Sequence, residues 1–415
     1  MKARYVASLA LVAALTVAVS TAAARTDGPA RSSASKVTVW LQVDAQTGWP
    51  DLVASTNQAF QKAHPGASVD VQYQTWGDHL GKFDATLAGG NQPDVIEMGN
   101  TEMTKYMAAG AFANLSADRS SFANSRNWLA GLTASASYQG KLFGVPYYAG
   151  SRVVTYRTDL YRKAKIKAPK SLSQFTAYAK KLRARNGKKS FSPVYIAGTD
   201  WYFAMSFVYD YGGQIASFSR GKWTGKLDSA KARAGLAAYK RFFGAASRAS
   251  KTGTEDRPQP YDVYAQGQAA SIVGPAWFSC CVGKYKKATS QFVMPGHKAG
   301  VSMPGFLGGS DLAVPNGSND KALAKDWIRI FTSTESERTL QAKGNIPNAT
   351  NLLGNSVNER AAKRSWFVPT AKNWVNVENG NILRTMLARI LTGKNTIQQA
   401  TSIASDNITL TLNRP

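Results

Sequence analysis

The chain has 415 residues, more than one ordinary hydrophobic core accommodates, so two lobes or domains are expected. Its content of 44% hydrophobic and 11% aromatic residues excludes an intrinsically disordered protein. The net charge is +26, but the basic residues are scattered and no recognition motif accompanies them, so a nucleic-acid ligand is not expected.

The first residues have the pattern of an export signal. Lys2 and Arg4 form a basic segment, Leu9–Val19 an apolar core, and Ala22–Ala24 a small-residue cleavage site. The apolar core is far shorter than the ~20 residues that a bilayer requires, so a membrane anchor is not expected. We therefore predict a signal peptide over residues 1–24, a flexible leader over residues 25–36, and an exported, extracellular or cell-surface-associated protein.

Predicted strands and helices alternate in the next part of the chain. Strands are predicted at Val37–Val43, Ser68–Gln74 and Asp94–Met98. The helix between the first two begins at Pro50 after a loop, and the helix before the third is capped by Asp78. This β-α-β-α-β order predicts an α/β fold with right-handed crossovers and a sheet covered by helices.

Further elements follow from apolar periodicity, capping residues and glycines. The predicted extended segments are Gly144–Tyr156, Ala269–Val273 and Gly308–Val314. Helices are predicted at Glu102–Ala109, after the Ser171–Gln174 capping box, at Trp201–Tyr211, at Leu227–Phe243 and at Gln259–Gln268. Four more helices follow: one capped by Ser318 or Asn319, one from a capping box at Thr334–Glu337, and two at the C-terminus, Glu378–Thr392 and one from Asn395 onward.

Two local features remain open. Cys280 and Cys281 are the only cysteines, and adjacent cysteines rarely pair, so we predict buried small apolar residues rather than a redox pair or a metal site. The basic cluster Arg157–Lys170 is read as an exposed edge followed by a loop.

After removal of the two basic residues of the signal, 49 basic and 25 acidic residues leave a net charge of +24, which favours either a basic solvated surface or weak retention by an anionic cell wall or lipid surface.

Catalysis has little support in the sequence. His64, His79 and His297 lie far apart, and no motif of metalloproteases, serine hydrolases, phosphate-binding loops or dinucleotide-binding folds occurs. An enzyme, a cofactor and a metal site are therefore not expected, although a pair of carboxylates brought together by folding, as in a glycosidase, leaves no sequence signal.

Five segments together resemble extracellular solute-binding protein family 1, the sugar-binding proteins of ABC importers. They are Pro93–Gly99, Tyr138–Tyr156, Trp201–Gly213, Gly274–Phe278 and Gly308–Val314. Within that family, the MGNTE and WYF…GG segments are most similar to binding proteins for β-linked disaccharides such as diacetylchitobiose.

The resemblance implies a two-lobed, type II periplasmic-binding-protein-like fold with a ligand cleft between lobes joined by hinge strands. The N-terminal lobe would comprise residues 37–146 plus about 296–334, and the C-terminal lobe about 147–295 plus 335–415. The protein would be a monomer that needs no cofactor, closes on a di- or oligosaccharide and delivers it to a membrane permease. Many relatives carry a lipid-modified Cys after the signal, a position that neither cysteine of this chain occupies. The alternative is a secreted glycan-binding or glycan-processing protein without a transporter.

Sugar sites combine flat apolar faces with planar polar side chains. Trp76 lies in a predicted turn, where ligand contact and packing are equally open, and Arg152 lies in an apolar strand, where it either binds hydroxyls or forms a buried ion pair. One of the two adjacent tyrosines at the crossover is expected to pack and the other to face the ligand. With the positions that match the family, the candidate ligand-binding residues are Asp44, Trp76, Asn100, Glu102, Tyr147, Tyr148, Arg152, Asp200, Trp201, Tyr202, Trp277, Gly309, Ser310 and Trp374.

Overall fold

A computed structural model of the protein describes residues 35–255 and 257–414. The predicted signal peptide and most of the predicted leader lie outside these ranges. Within them, every helix is too short or too polar to cross a membrane.

The structure alternates strands and helices along most of the described chain. The strands are β1 (Lys36–Gln42), β2 (Ser68–Gln74), β3 (Val95–Gly99), β4 (Ser137–Tyr138), β5 (Lys141–Leu142), β6 (Gly144–Arg157), β7 (Ala216–Ser219), β8 (Lys222–Gly225), β9 (Ser271–Pro275), β10 (Thr289–Phe292), β11 (Gly305–Ala313), β12 (Ile346–Pro347) and β13 (Ser365–Trp366). The α-helices are α1 (Val43–Gly48), α2 (Pro50–Ala63), α3 (His79–Gly89), α4 (Met103–Ala108), α5 (Ala130–Ser135), α6 (Thr158–Lys163), α7 (Leu172–Ala184), α8 (Trp201–Asp210), α9 (Ala230–Ala246), α10 (Pro260–Ala265), α11 (Lys321–Phe331), α12 (Thr334–Ala342), α13 (Val357–Ala362), α14 (Trp374–Asn379), α15 (Ile382–Thr392) and α16 (Ile397–Leu412).

One sheet runs through the molecule. Its strand order is β10-β6-β11-β3-β1-β2, with β9 and β12 also paired to β6 and β13 to β11. Strand β1 is parallel to β2 and β3, whereas β11 is antiparallel to β3 and β6. The predicted β-α-β-α-β unit and the α/β fold class are therefore confirmed.

The long strand β6 joins two separate hydrophobic cores. Val145 and Tyr147, near its start, pack in a first core with β1, α2 and α11, whereas Val154, near its end, packs in a second core with α7, α8 and α9. The predicted lobe boundaries stay a prediction, and the presence of Leu340 and Leu352 in the first core favours a later crossing than residue 335.

Two helices are capped by a residue other than the predicted one. Helix α11 is capped by Asp320, because Ser318 and the Asn319 backbone donate to Asp94 instead. Helix α12 is capped by Ser333 rather than Thr334, and Glu337 is buried and accepts from the Asn348 backbone.

Three other corrections concern the remaining local predictions. The predicted capping box at the start of α7 is half formed, because Ser171 accepts from the Gln174 backbone whereas the Gln174 side chain accepts from Lys170. The residues predicted as a loop after β1 form α1, and the C-terminal tail holds three helices instead of two. Cys280 and Cys281 form a disulfide with each other, and both are exposed, so the prediction of two buried, unpaired cysteines is wrong.

Candidate functional site

The first group of candidate residues lies where β1 and β3 end. Trp76, in the turn before α3, donates from Nε1 to Asp44 Oδ2 over 2.6 Å. Its ring meets His79 edge-on at 5.4 Å between centroids, and 41% of the residue is exposed. The indole therefore has fixed polar and aromatic neighbours and an open face.

Glu102 is held by two donors on its own lobe. Its Oε2 accepts from the Gly99 backbone at 2.8 Å and lies 2.9 Å from Nε2 of the buried His79. Burial opposes the charged form of His79, but Glu102 outweighs it and raises the pKa of this histidine. Oε2 thus stabilises the turn after β3, and Oε1 is left to accept a hydrogen bond from a ligand.

Glu97 is a candidate that sequence reasoning missed. It is buried inside β3, where Oε2 accepts from the Gln42 backbone over 2.8 Å and Oε1 has no hydrogen-bond partner. Burial raises its pKa to about 7, although the hydrogen bond from Gln42 and the Ser310 side chain partly oppose the shift. A carboxylate within an otherwise apolar strand was the available signal, since such a group requires a partner.

The two tyrosines at the crossover have different environments. Tyr147 is fully buried, accepts from Trp49 Nε1 and packs against Phe331, whereas Tyr148 is only partly buried. Burial and the neighbouring Glu97 raise the pKa of Tyr148 well above its ordinary value, so its phenol stays protonated. Tyr147 is therefore a packing residue, and Tyr148 is the better candidate for ligand contact.

The second lobe contributes Arg152 at the middle of β6. Its Nη2 lies 3.7 Å from Asp200 Oδ1, and its guanidinium stacks over the Tyr202 ring at 4.6 Å. Asp200 also caps α8 by accepting from the Phe203 backbone at 3.1 Å. The sequence left open whether Arg152 binds sugar hydroxyls or forms a buried ion pair, and in the structure it forms the ion pair. Its Nε is buried and has no hydrogen-bond partner.

A second ion pair near Arg152 was also missed by sequence reasoning. Arg384 donates both guanidinium nitrogens to Glu255, over 2.8 and 2.6 Å. Burial and the neighbouring Asp200 raise the pKa of Glu255, while Arg384 and Arg152 act against the shift. Because the partners are 129 residues apart and lie in a loop and an amphipathic helix, no local pattern indicated the pair.

Two predicted stacking residues belong to the second core instead. Trp201 and Trp374 are 3% and 1% exposed, and their rings contact each other at 6.1 Å. Stacking was expected of Trp201 or Tyr202, and Trp374 was expected in the cleft; the burial of both tryptophans disfavours them as ligand contacts. Tyr202 covers Trp201 with a stacked ring at 3.9 Å and is only partly buried, so it is the member of this group that remains a ligand candidate.

Trp277 is an exposed aromatic residue of the second lobe. It follows β9, whose Pro275 pairs with Arg152 of β6, and 45% of it is exposed. Phe278 and Tyr261 lie against the ring at 4.8 and 5.8 Å between centroids. Trp277 thus stands at the strand end nearest the ion pair of Arg152.

Three candidate residues lie where β11 packs against its neighbours β3 and β6: Asn100, Gly309 and Ser310. Asn100 donates from Nδ2 to Leu307 and from its backbone to Gly309, over 3.0 and 2.9 Å. A Cβ on Gly309 would lie 2.2 Å from the Tyr148 carbonyl oxygen, and Ser310 is fully buried beside Glu97. The glycine therefore permits β6 and β11 to approach each other, which differs from the expected approach of a ligand.

The two lobes meet where α14 faces the turn before α4. Burial raises the pKa of Glu378 to about 7, and the charge of Glu102 adds to the shift while Trp374 and Thr101 oppose it. Glu378 accepts from Trp374 of its own lobe. Its interactions with Thr101 and Glu102 therefore cross between lobes.

Each lobe thus carries an exposed indole, Trp76 or Trp277, and carboxylates paired with cations. Sugars present hydroxyls and flat C–H surfaces, which this combination can bind. Among the described residues, no group of His, Cys, Asp and Glu has a metal-binding arrangement.

Comparison with known proteins gives three related findings. Residues 42–338 match the family model described as bacterial extracellular solute-binding protein. The chain is 30% identical over 385 residues to the diacetylchitobiose binding protein DasA of Streptomyces coelicolor, covering 89% of this chain and 88% of that protein. Among solved structures, the GacH receptor of Streptomyces glaucescens gives a TM-score of 0.78 at 18% identity, over 91% of this chain and 98% of that one.

The maltose-bound MalE3 of T. maritima gives a TM-score of 0.73 at 18% identity, over 91% of this chain and 100% of that one. At this identity the likeness concerns the fold alone. It confirms the predicted two-lobed, type II periplasmic-binding-protein fold.

Proposed function

The chain belongs to the family of bacterial extracellular solute-binding proteins, and we propose that it is the sugar-binding component of an ABC importer. In this proposal it binds a di- or oligosaccharide between its lobes and delivers it to a membrane permease. The relative DasA is a diacetylchitobiose binding protein, so a β-linked disaccharide of this kind is the first candidate ligand.

The observation that carries this proposal is the presence of one exposed indole on each lobe, Trp76 on the first and Trp277 on the second. All ten tryptophans lie in the described part of the chain, and among them only Trp76 and Trp277 are more than 40% exposed. The C–H faces of sugar rings stack on exposed aromatic faces of this kind. We assign the two indoles to the two sides of one sugar ligand.

Charged side chains on both lobes would supply hydrogen bonds for sugar hydroxyls. Asp44 and Glu102 stand on the first lobe, and Arg152 and Glu255 on the second. Each is already held by a protein partner, so little side-chain freedom remains to be lost when a ligand binds. In this proposal the carboxylates hold hydroxyls and cations, and the protein has no catalytic activity.

Closure of the lobes would couple binding to transport. Strand β6 carries residues of both cores, and Glu378 meets Thr101 and Glu102 across the gap. A ligand that contacts both lobes stabilises the closed form by its differential affinity for that form. The closed monomer at the cell surface would then be the form that the permease recognises.

Thermal unfolding of the mature protein against a panel of sugars tests the proposal. The panel holds diacetylchitobiose, cellobiose, maltose, trehalose, xylobiose and their monomers. A ligand that binds only the folded protein raises the unfolding midpoint by mass action. No shift with any sugar, for a protein that unfolds cooperatively, would contradict sugar binding. Incubation with chito- and malto-oligosaccharides should release no product, and product formation would instead indicate a glycan-processing enzyme.

A further inference from the structure

A basic groove lies between α7 and α9 on the second lobe, lined by none of the cleft residues described above. It encloses a cavity of about 660 Å³. Helix α7 lines it with Thr176, Lys180 and Arg183, and α9 with Arg241 and Phe242. The α7 residues recur at spacings of four and three, which places them on one face of the helix.

The base of the groove is a fixed apolar contact. Phe242 is buried, and its ring meets Phe175 at 5.2 Å between centroids. The two helices are thereby held together beneath the charged side chains. The groove is a built feature of the second core, and its lining includes no exposed large apolar residue that could enter a lipid layer.

Three cations line the groove without an acidic counterpart. Among the described residues, no ion pair involves Lys180, Arg183 or Arg241, and the lining contains neither Asp nor Glu. Arg183 donates from Nη1 to the Gly244 carbonyl over 3.2 Å, but its Nε and Nη2 are buried and have no partner. Buried donors without acceptors are rare and costly, so these two nitrogens indicate a missing acceptor.

Asp210 adjoins the lining but is paired with His297, and the charge that acts on Arg183 is positive. Burial and the nearby Arg248 lower the pKa of Arg183, so this guanidinium is held in an environment unfavourable to a cation. Residues 157–189 contain twelve Lys and Arg and a single acid, and residues 230–251 contain six Lys and Arg and no acid. Much of the excess positive charge therefore lies in the two chain segments that contain α7 and α9.

We propose that this groove is a binding site for a polyanion that carries repeated phosphate groups. Phosphate oxygens accept two parallel bonds from a guanidinium, so the ligand would pair with Nε and Nη2 of Arg183 once a turn of this side chain brings the two buried nitrogens to the groove. One phosphate would leave most of the cavity empty, whereas a chain of them also reaches Lys180 and Arg241. Such a contact would hold the exported protein at a phosphate-rich polymer of the cell envelope while the sugar cleft stays open.

Fluorescence anisotropy with labelled polyphosphate of about ten units tests the site on the full mature chain, at low and at near-physiological salt. The groove variant is Lys180→Gln/Arg183→Gln/Arg241→Gln. The matched control Lys62→Gln/Lys141→Gln/Lys394→Gln removes the same charge from exposed residues elsewhere. We expect the groove variant to bind about tenfold more weakly or worse, and the control to change by less than about threefold.

Three outcomes would overturn the proposal. Equal weakening in both triple variants would mean that net charge alone attracts the polymer. Inorganic phosphate that binds as tightly as the polymer would mean a single-anion site. Groove-dependent binding to anionic phospholipid vesicles that exceeds binding to polyphosphate would mean a lipid surface.

Two further measurements separate this site from the cleft and from misfolding. The single variant Arg241→Gln changes an exposed side chain and should fold normally while it weakens polymer binding. The unfolding shift caused by sugar should persist in all groove variants, because none of the substituted residues belongs to the cleft. Loss of polymer binding with the sugar shift intact supports the polyanion site, whereas loss of the sugar shift as well would contradict a separate site.

Discussion

The exposed indole of Trp76 donates a hydrogen bond of 2.6 Å to the carboxylate of Asp44. The bond joins the turn after β2 to the first turn of α1, so both side chains keep one orientation at the edge of the cleft. A stacking face that is fixed before the ligand arrives loses little side-chain entropy on binding. Trp76 is therefore expected to contribute more to affinity than a freely rotating surface aromatic.

Substitution of either exposed cleft tryptophan should weaken sugar binding. We expect Trp76→Ala and Trp277→Ala each to cost about 1–3 kcal/mol of binding free energy, because each removes a stacking face and its buried area. Isothermal titration with the sugar identified by thermal unfolding measures the loss. Phe218→Ala is the matched control, since Phe218 is 58% exposed and lies on the β7–β8 hairpin. Unchanged affinity in a folded Trp277→Ala variant would remove that residue from the site.

The sequence was sufficient for features that depend on neighbouring residues. The apolar runs of β1 and β3, the helix start at Pro50 and the turn position of Trp76 all follow from local pattern. The burial of Trp374 could not be predicted, because an aromatic residue in an amphipathic helix reads equally as core or as surface.

Features that depend on residues distant in sequence were missed. The Glu255–Arg384 pair exists only because the fold brings a loop and α15 together. Adjacent cysteines rarely meet the geometry of a disulfide, so unpaired cysteines were predicted, whereas Cys280 and Cys281 form a disulfide. The ion pair is set by tertiary structure, whereas the disulfide joins adjacent residues and is an exception to the usual geometry.

Gly309→Ala should destabilise the junction of the two lobes. A Cβ at this position would lie 2.2 Å from the Tyr148 carbonyl oxygen, so β6 and β11 would have to separate. We expect the free energy of unfolding to fall by about 2 kcal/mol or more. Gly150→Ala is the control in the same strand pair, since a Cβ there meets nothing within 4 Å. Similar unfolding curves for the two variants in urea would contradict this account of Gly309.

Two substitutions of Asp200 separate its cap from its charge. Asp200→Asn keeps an oxygen that can accept from the Phe203 backbone, and it removes both the attraction to Arg152 and the repulsion of Glu255. These two charge effects oppose each other, so we expect a small change in the free energy of unfolding. Asp200→Ala also removes the cap and should cost about 1 kcal/mol more than Asp200→Asn. Equal stability of the two variants in urea would mean that the cap does not stabilise α8.

The stability of the protein should fall as pH rises from about 5 to 8. Burial raises the pKa of Glu97 to about 7 in the folded protein, from an ordinary value of 4.5. Between these values the folded state holds a proton that the unfolded chain has lost, so rising pH favours unfolding, by roughly 2–3 kcal/mol for this group. Glu97→Gln should reduce the slope of unfolding free energy against pH. The slope that remains is assigned to the other acids whose pKa burial raises, which are Asp311 and Glu378, both to about 7, and Glu337 and Glu255. An identical slope in the variant would show that Glu97 titrates normally.

Sugar affinity should depend on pH through the contact between Glu378 and Glu102. Burial and the Glu102 charge raise the pKa of Glu378 to about 7 where the lobes meet, whereas opening of the lobes would separate these two carboxylates. Closure therefore takes up a proton, so affinity should be about threefold to tenfold higher at pH 6 than at pH 8. Glu378→Gln mimics the protonated side chain and should give the higher affinity at both pH values. The control Glu335→Gln, on α12, should retain the pH dependence of the unmodified protein. Titration calorimetry measures the sugar affinity of each variant at the two pH values. A pH dependence that is unchanged in Glu378→Gln would mean that another group titrates.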